Sequence, residues 1–267
     1  MLARAMKMAF WITYDHLGKF LVVGLLWSVA LFVPGWIALV GLFSGEPGVR
    51  AIIGIPAALA AFGIILPVPS AGLAYFIKVL IDERDGSIGD FFRGIKLYAV
   101  RAVAIGLFFV FAAASLGTST WFYAAKLRDT APWLGYAISG LALWCLLFAA
   151  LMGLLVLPAL VQKKAGIYET LKLTALLVLG NPLFSLGLAF QVLTLTAVCL
   201  AIFPVFIFLY GPGFAALTGS AYEMLARKYA ARAAETGARQ DRPPYPSDEE
   251  DDYLNRGFRD FLFPWKG

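Results

Sequence analysis

The chain has 267 residues, 61% hydrophobic and 15% charged, with one histidine, two cysteines and a formal net charge of +5. Its mean hydropathy is +0.78. Soluble domains run at about 45–50% apolar and about 25% charged residues, so a soluble enzyme of ordinary composition, a disordered chain and a disulfide-stapled secreted module are all excluded. The charge is also uneven: residues 228–267 hold 15 of the 39 charged side chains. What remains is a polytopic membrane protein with a polar tail.

A spanning helix needs roughly 20 apolar residues to cross about 30 Å of hydrocarbon. Five charge-free blocks qualify: Phe20–Gly45, Ala51–Ile77, Ala102–Ala125, Thr130–Gln162 and Leu173–Tyr222. The last is long enough for two helices, and Pro204 suits a helix start, so the turn belongs near Ala201–Pro204. Six spans follow, at about 20–42, 52–80, 99–123, 133–160, 182–202 and 204–226. This division puts 19 Lys and Arg on one side of the membrane and only Arg50, Lys126 and Arg128 on the other. The bias assigns both termini to the cytoplasm, in what reads as a bacterial inner membrane.

Taken in chain order, residues 1–19 read as a cytoplasmic interfacial helix. Their Arg4, Lys7 and Asp15 interrupt the apolar residues too often for a cleaved signal peptide. The six-span domain then covers 20–227. After the second span, Ser87 and Asp90 have the spacing of a capping box. Ile88, Phe91, Phe92, Ile95 and Tyr98 follow on one helical face. Such a helix is expected to lie in the interface plane, with Arg93 and Lys96 toward lipid phosphates. A similar spacing, Ile167, Glu169, Leu171 and Lys172, precedes the fifth span. The fold class is therefore all-α, six spans, readable as three repeats of an interfacial helix plus a helical hairpin. The matches are short enough for biased composition to produce them.

The returning span of each unit carries helix-breaking residues: Pro67, Pro69 and Gly72; Pro158; and Gly211, Pro212 and Gly213. Corresponding Gly/Pro interruptions can mark a solute site in a transporter, although membrane helices tolerate both residues for structural reasons. Ser115, Thr118, Ser119, Thr120, Ser185, Gln191, Thr194 and Thr196 could line a hydrophilic path or simply bond to helix backbone. The charge-free blocks hold no Asp, Glu, Lys, Arg or His, which argues against a proton-coupled pump. No metalloprotease, nucleophile-elbow or phosphate-loop motif is present, and His16 is the only histidine. Neither catalysis nor a metal or other cofactor is expected. Cys145 and Cys199 fall inside spans and read as small hydrophobes.

Residues 228–252 read as a polar, partly disordered linker ending in the acidic run Asp248–Asp252. Residues 253–267 form an amphipathic aromatic and basic segment. Its Phe258, Phe261, Leu262 and Trp265 could insert into the interface while Arg256, Arg259 and Lys266 meet anionic lipid. The sharper alternative is a tethered peptide that docks on a partner or in the protein's own cytoplasmic groove.

Several of these strings carry a resemblance. Phe10-Trp11-Ile12-Thr13-Tyr14-Asp15 running through Gly18 into Leu25-Leu26-Trp27, the Pro67–Leu73 break, Asp90-Phe91-Phe92-Arg93-Gly94-Ile95-Lys96, and Asn181-Pro182 together resemble the YesL-like integral membrane proteins of bacteria, over about residues 8–225. Gly24 departs from that pattern, which has an Asn in the first span. The resemblance implies no catalytic residue, and it implies a setting beside carbohydrate-uptake systems. The expected function is a non-catalytic accessory or partner-binding membrane component, the alternative being a transporter or channel for a small neutral solute. The expected partners are the lipid bilayer, a membrane or cytoplasmic protein and a second copy of the chain; nucleic acid is not one.

Overall fold

A computed structural model describes residues 1–126, 131–163, 166–235 and 251–257. Among them the fold is all-α with six helices long and apolar enough to cross a membrane. The chain order is α1 (Leu2–Asp15), α2 (Leu17–Leu42), α3 (Pro47–Glu83), α4 (Ile88–Ala125), α5 (Pro132–Lys163), α6 (Ile167–Gly180), α7 (Pro182–Ala201), α8 (Phe203–Glu235) and the single turn α9 (Asp252–Asn255). Prolines at the first or second position open α3, α5, α7 and α8, where the missing N–H would have lacked a partner anyway. The expected division of the long apolar block falls at Ile202, whose backbone leaves the helical region between α7 and α8.

Buried side chains concentrate at the end of the bundle where α1, the α3–α4 turn, α8 and α9 meet. Met8, Ile12, Phe20, Phe76, Leu80 and Leu225 are its fully enclosed members. Toward the other end Val33, Trp36, Phe43, Trp121, Trp133 and Trp144 face outward. Such a surface suits lipid and would be untenable in water. In lipid, helix contact gains little hydrophobic free energy and depends on close packing at small residues. A Cβ on Gly41 would come within 2.6 Å of the Gly54 Cα, and one on Gly106 within 2.6 Å of the Gly63 carbonyl oxygen. These glycines set how closely α2 meets α3 and α3 meets α4.

Three features of the helices bear on these expectations. First, residues 86–96 do not form a separate in-plane helix: α4 is uninterrupted for 38 residues, about 57 Å at 1.5 Å per residue. Phe91, Gly94, Tyr98, Ala102, Ile105 and Gly106 make one buried stripe at helical spacing, and no Pro or Asn separates the amphipathic part from the span. The first and third units do break, at His16 and at Asn181-Pro182. The Ser87–Asp90 capping box is formed; Ser87→Ala is expected to cost about 1 kcal/mol, read as a small drop in thermal midpoint with unchanged oligomeric profile. Second, the Pro67-Val68-Pro69 and Gly211-Pro212-Gly213 strings do not unwind their helices. A wide π turn at Leu59–Ile65 leads into the first string and one at Phe206–Tyr210 into the second, a third at Arg50–Gly54 precedes Pro56, and Pro158 sits inside an unbroken α5. Third, α8 continues to Glu235, so the first part of the 228–252 linker is helical.

Candidate functional site

Two places deserve the name of site. One is a cavity of about 460 Å³ between α2, α3, α4, α5 and α8, within the 300–1,000 Å³ range of small-molecule sites. Pro67, Pro158 and Gly211, one interruption from each returning span, all line it. The other four do not. Pro69 is buried beside it, while Gly72 lets Phe91 and Ile95 of α4 approach closely. Pro212 packs toward Gly24, and Gly213 faces Leu195. The polar side chains on the wall are engaged within the protein. Trp27 Nε1–H donates to Ser70 Oγ (3.0 Å), Thr218 Oγ1 donates to the Phe214 carbonyl (2.9 Å), and the Tyr210 hydroxyl lies 3.2 Å from Thr196 Oγ1, whose own hydrogen goes to the Val192 carbonyl. The remaining wall is aliphatic and aromatic. A sugar, whose hydroxyls each need a partner, finds few groups there.

The uncharged polar residues of the spans mostly bond to backbone. Ser115, Thr120, Thr194 and Thr196 donate to carbonyls three or four residues back, and Ser139 donates to the Thr120 carbonyl. Ser185 is buried with no hydrogen-bond partner for its Oγ among the described residues.

The second place is polar and lies at the charged end. Asp251, fully buried, accepts hydrogen bonds from Arg84 Nη2 (2.8 Å) and Arg227 Nη2 (2.7 Å). Arg227 Nε also donates to Glu223 (3.1 Å), one turn earlier on α8 and only 3% exposed. Asp251 Oδ1 in addition accepts the Tyr253 N–H, capping α9. The Arg84 guanidinium lies 4.0 Å from the centre of the Tyr253 ring, a cation–π arrangement. Tyr253 and Leu254 are buried in the main core. Lys7 donates to the Leu254 carbonyl, while Arg256 pairs with Asp15 and sits over the Trp11 ring. Residues 251–257 are thus seated on the protein's own surface between α1, the end of α3 and α8.

Arg84 is the one non-glycine residue with positive φ (60°) among the described residues, at the left-handed C-cap of α3. Glycine normally takes that position because a Cβ strains it. An arginine held there is an outlier with a use: its side chain reaches Asp251.

Burial pushes the Asp251 carboxyl up, but the hydrogen bonds and charges of Arg84 and Arg227 outweigh it and hold the group below the ordinary carboxylate range. Burial raises the Tyr253 phenol. The seated state therefore binds fewer protons at Asp251 in acid than the free segment, and holds the Tyr253 proton longer in base. Seating is expected to be constant between about pH 5 and 9. It should weaken as pH falls below the free carboxylate value of about 3.9, and as it rises past the free phenol value of about 10. Hydrogen-exchange protection of the Tyr253 and Leu254 amides, referenced to the intrinsic exchange rate at each pH, measures it.

Of the other expected contacts, Asp90 serves the capping box, Phe91 is buried against α3, and Phe92 (53% exposed), Arg93 and Lys96 face outward. Phe258, Arg259, Phe261 and Trp265 lie outside the described residues. Among the described residues no three His, Cys, Asp or Glu side chains cluster as metal ligands. The sequence reading missed Asp251, Arg84 and the Arg227–Glu223 pair. The i, i+4 spacing of Glu223 and Arg227 at the end of the last span was the available signal.

Six spanning helices over a lipid-facing surface define an all-helical integral membrane protein. Comparisons with family models, with curated proteins and with solved structures returned no match.

Proposed function

We propose that this protein is a non-catalytic component of a bacterial inner membrane, with both termini in the cytoplasm, that acts by binding a membrane or cytoplasmic protein partner at its charged end. The observation that carries this reading is the platform around Asp251. Three distant parts of the chain meet there in a buried, hydrogen-bonded ion cluster, next to the exposed aromatic face of α1 with Phe10 and Tyr14. The 19-to-3 distribution of Lys and Arg supports the orientation. The resemblance to YesL-like proteins supplies the setting, an accessory role beside a carbohydrate-uptake system. Photo-crosslinking in native membranes tests it. A benzophenone amino acid at Phe10 is expected to give discrete protein adducts that the same probe at lipid-facing Trp144 does not. Only lipid adducts at both positions would contradict the reading.

The convergence of Pro67, Pro158 and Gly211 on one cavity favours a second reading, a path for a small neutral solute of low polarity. A Cβ at Gly153 on the cavity wall meets only Phe109, at 3.9 Å. Gly153→Leu should therefore fill the space without moving a helix. Solute flux by the purified protein in proteoliposomes, abolished by Gly153→Leu, would replace the first reading with the second.

A further inference from the structure

We propose that the surface holding residues 251–257 is a peptide-recognition site for an Asp-x-Tyr-Leu segment, and that the chain's own copy is an exchangeable occupant which a partner protein carrying the same chemistry displaces. This deepens the partner-binding reading above and rests on it.

Each element of the segment meets a dedicated feature. The carboxylate of Asp251 enters between two guanidiniums, from Arg84 at the end of α3 and Arg227 on α8. Tyr253 stacks beneath the Arg84 guanidinium, and Leu254 enters the core cluster. Lys7 takes the Leu254 main-chain carbonyl, a contact that reads position and not side chain. Bidentate or stacked arginines discriminate planar anions and aromatic rings in a way that lysine cannot. Asp252 is exposed, so the recognised pattern is Asp251, Tyr253 and Leu254, with Arg256 meeting Asp15 and Trp11 at the rim.

The connection to the body is long. Fifteen residues, 236–250, separate Glu235 from Asp251, a contour of at most about 58 Å. Covalent continuity therefore does not force the segment into its site. It raises the local concentration to the order of millimolar. At that concentration a site with an intrinsic dissociation constant of about 100 µM is filled roughly ten to one. A partner offering the same segment with a few added contacts competes effectively. The cost of opening is also bounded, because Asp251 regains water and Arg227 keeps Glu223.

Two measurements on the full chain test this. In the first, Leu254→Cys places a thiol at a position 9% exposed, and its alkylation is followed by site-resolved mass spectrometry. Because Leu254→Cys itself weakens the internal copy, a free peptide spanning residues 248–257, at about 1 mM, is expected to accelerate the reaction at least twofold, and the same peptide with Asp251→Asn is expected to have no effect. In the second, labelled peptide binds a full chain carrying Asp251→Asn and Tyr253→Ala at least tenfold more tightly than it binds wild type, since the receptor residues are untouched and the internal competitor is gone. If that variant does not fold, the first measurement decides alone. An alkylation rate indifferent to peptide, or equal acceleration by the Asp251→Asn peptide, would overturn the exchangeable site. If the Phe10 photo-adducts persisted under those conditions, partner binding at the charged end would still stand.

Discussion

Gly24→Val is expected to prevent assembly of the bundle. A Cβ on Gly24 would lie 1.8 Å from the Phe208 carbonyl oxygen and 2.6 Å from its carbon, both main-chain atoms of the π turn in α8. No rotamer change relieves a clash with backbone, so α2 and α8 must separate. Their separation would break two neighbouring contacts. Ser28 Oγ donates to the Ile207 carbonyl (2.6 Å), which the π turn leaves available, and the Trp27 ring packs on Gly211, where a Cβ would come within 2.8 Å. A loss above about 4 kcal/mol is exceptional for one substitution, and it is a large part of a total stability of about 5–15 kcal/mol. Gly35→Val, on the same helix with nothing within 4 Å, carries the same propensity change and should leave the protein intact. The monodisperse fraction after detergent extraction distinguishes the two.

The second large effect is at Arg227, which bridges two buried carboxylates. Arg227→Met should release residues 251–257 and also remove the Arg227–Glu223 ion pair within α8. Breaking one side of a buried pair costs about 3–5 kcal/mol. Release of Asp251 into water limits the loss to the lower part of that range. About 3 kcal/mol corresponds to a fall of roughly 6–12 °C in thermal midpoint for a domain of this size. Asp251→Asn removes only the tail's carboxylate, and Arg227 keeps Glu223. It is expected to free the segment with little change in midpoint. Arg227→Lys should rescue poorly, because one ammonium cannot replace a guanidinium that donates through Nε to one acid and through Nη2 to another. Thermal unfolding together with proteolysis after residue 235 separates the two outcomes.

The spans were legible because apolar length is a one-dimensional property. The turn at Ile202 was legible because a 50-residue apolar block must fold back. The capping box at Ser87 was equally local. What the sequence could not show was continuity: the amphipathic pattern of Ile88–Tyr98 is the same whether the helix lies in the interface or runs on into a span. The buried stripe from Phe91 to Gly106 becomes visible only once α3 is beside it. The meeting of Pro67, Pro158 and Gly211 is likewise a property of assembly. Asp251 was the least legible residue. Within five consecutive acids it looks like one more solvated charge, and only the placement of Arg84 and Arg227 singles it out.

The seating of residues 251–257 on the charged end is tested most directly by a thiol pair, Asp15→Cys with Arg256→Cys. The native residues form a partly exposed ion pair worth about 1 kcal/mol or less, so their loss should leave the segment in place. With Cys145 and Cys199 replaced by serine, a short bismaleimide added to native membranes is expected to join the two positions within one chain. Adding Arg227→Met to the same background should abolish that product. Both thiols reacting singly in the otherwise unaltered protein, with no intrachain product, would contradict the account.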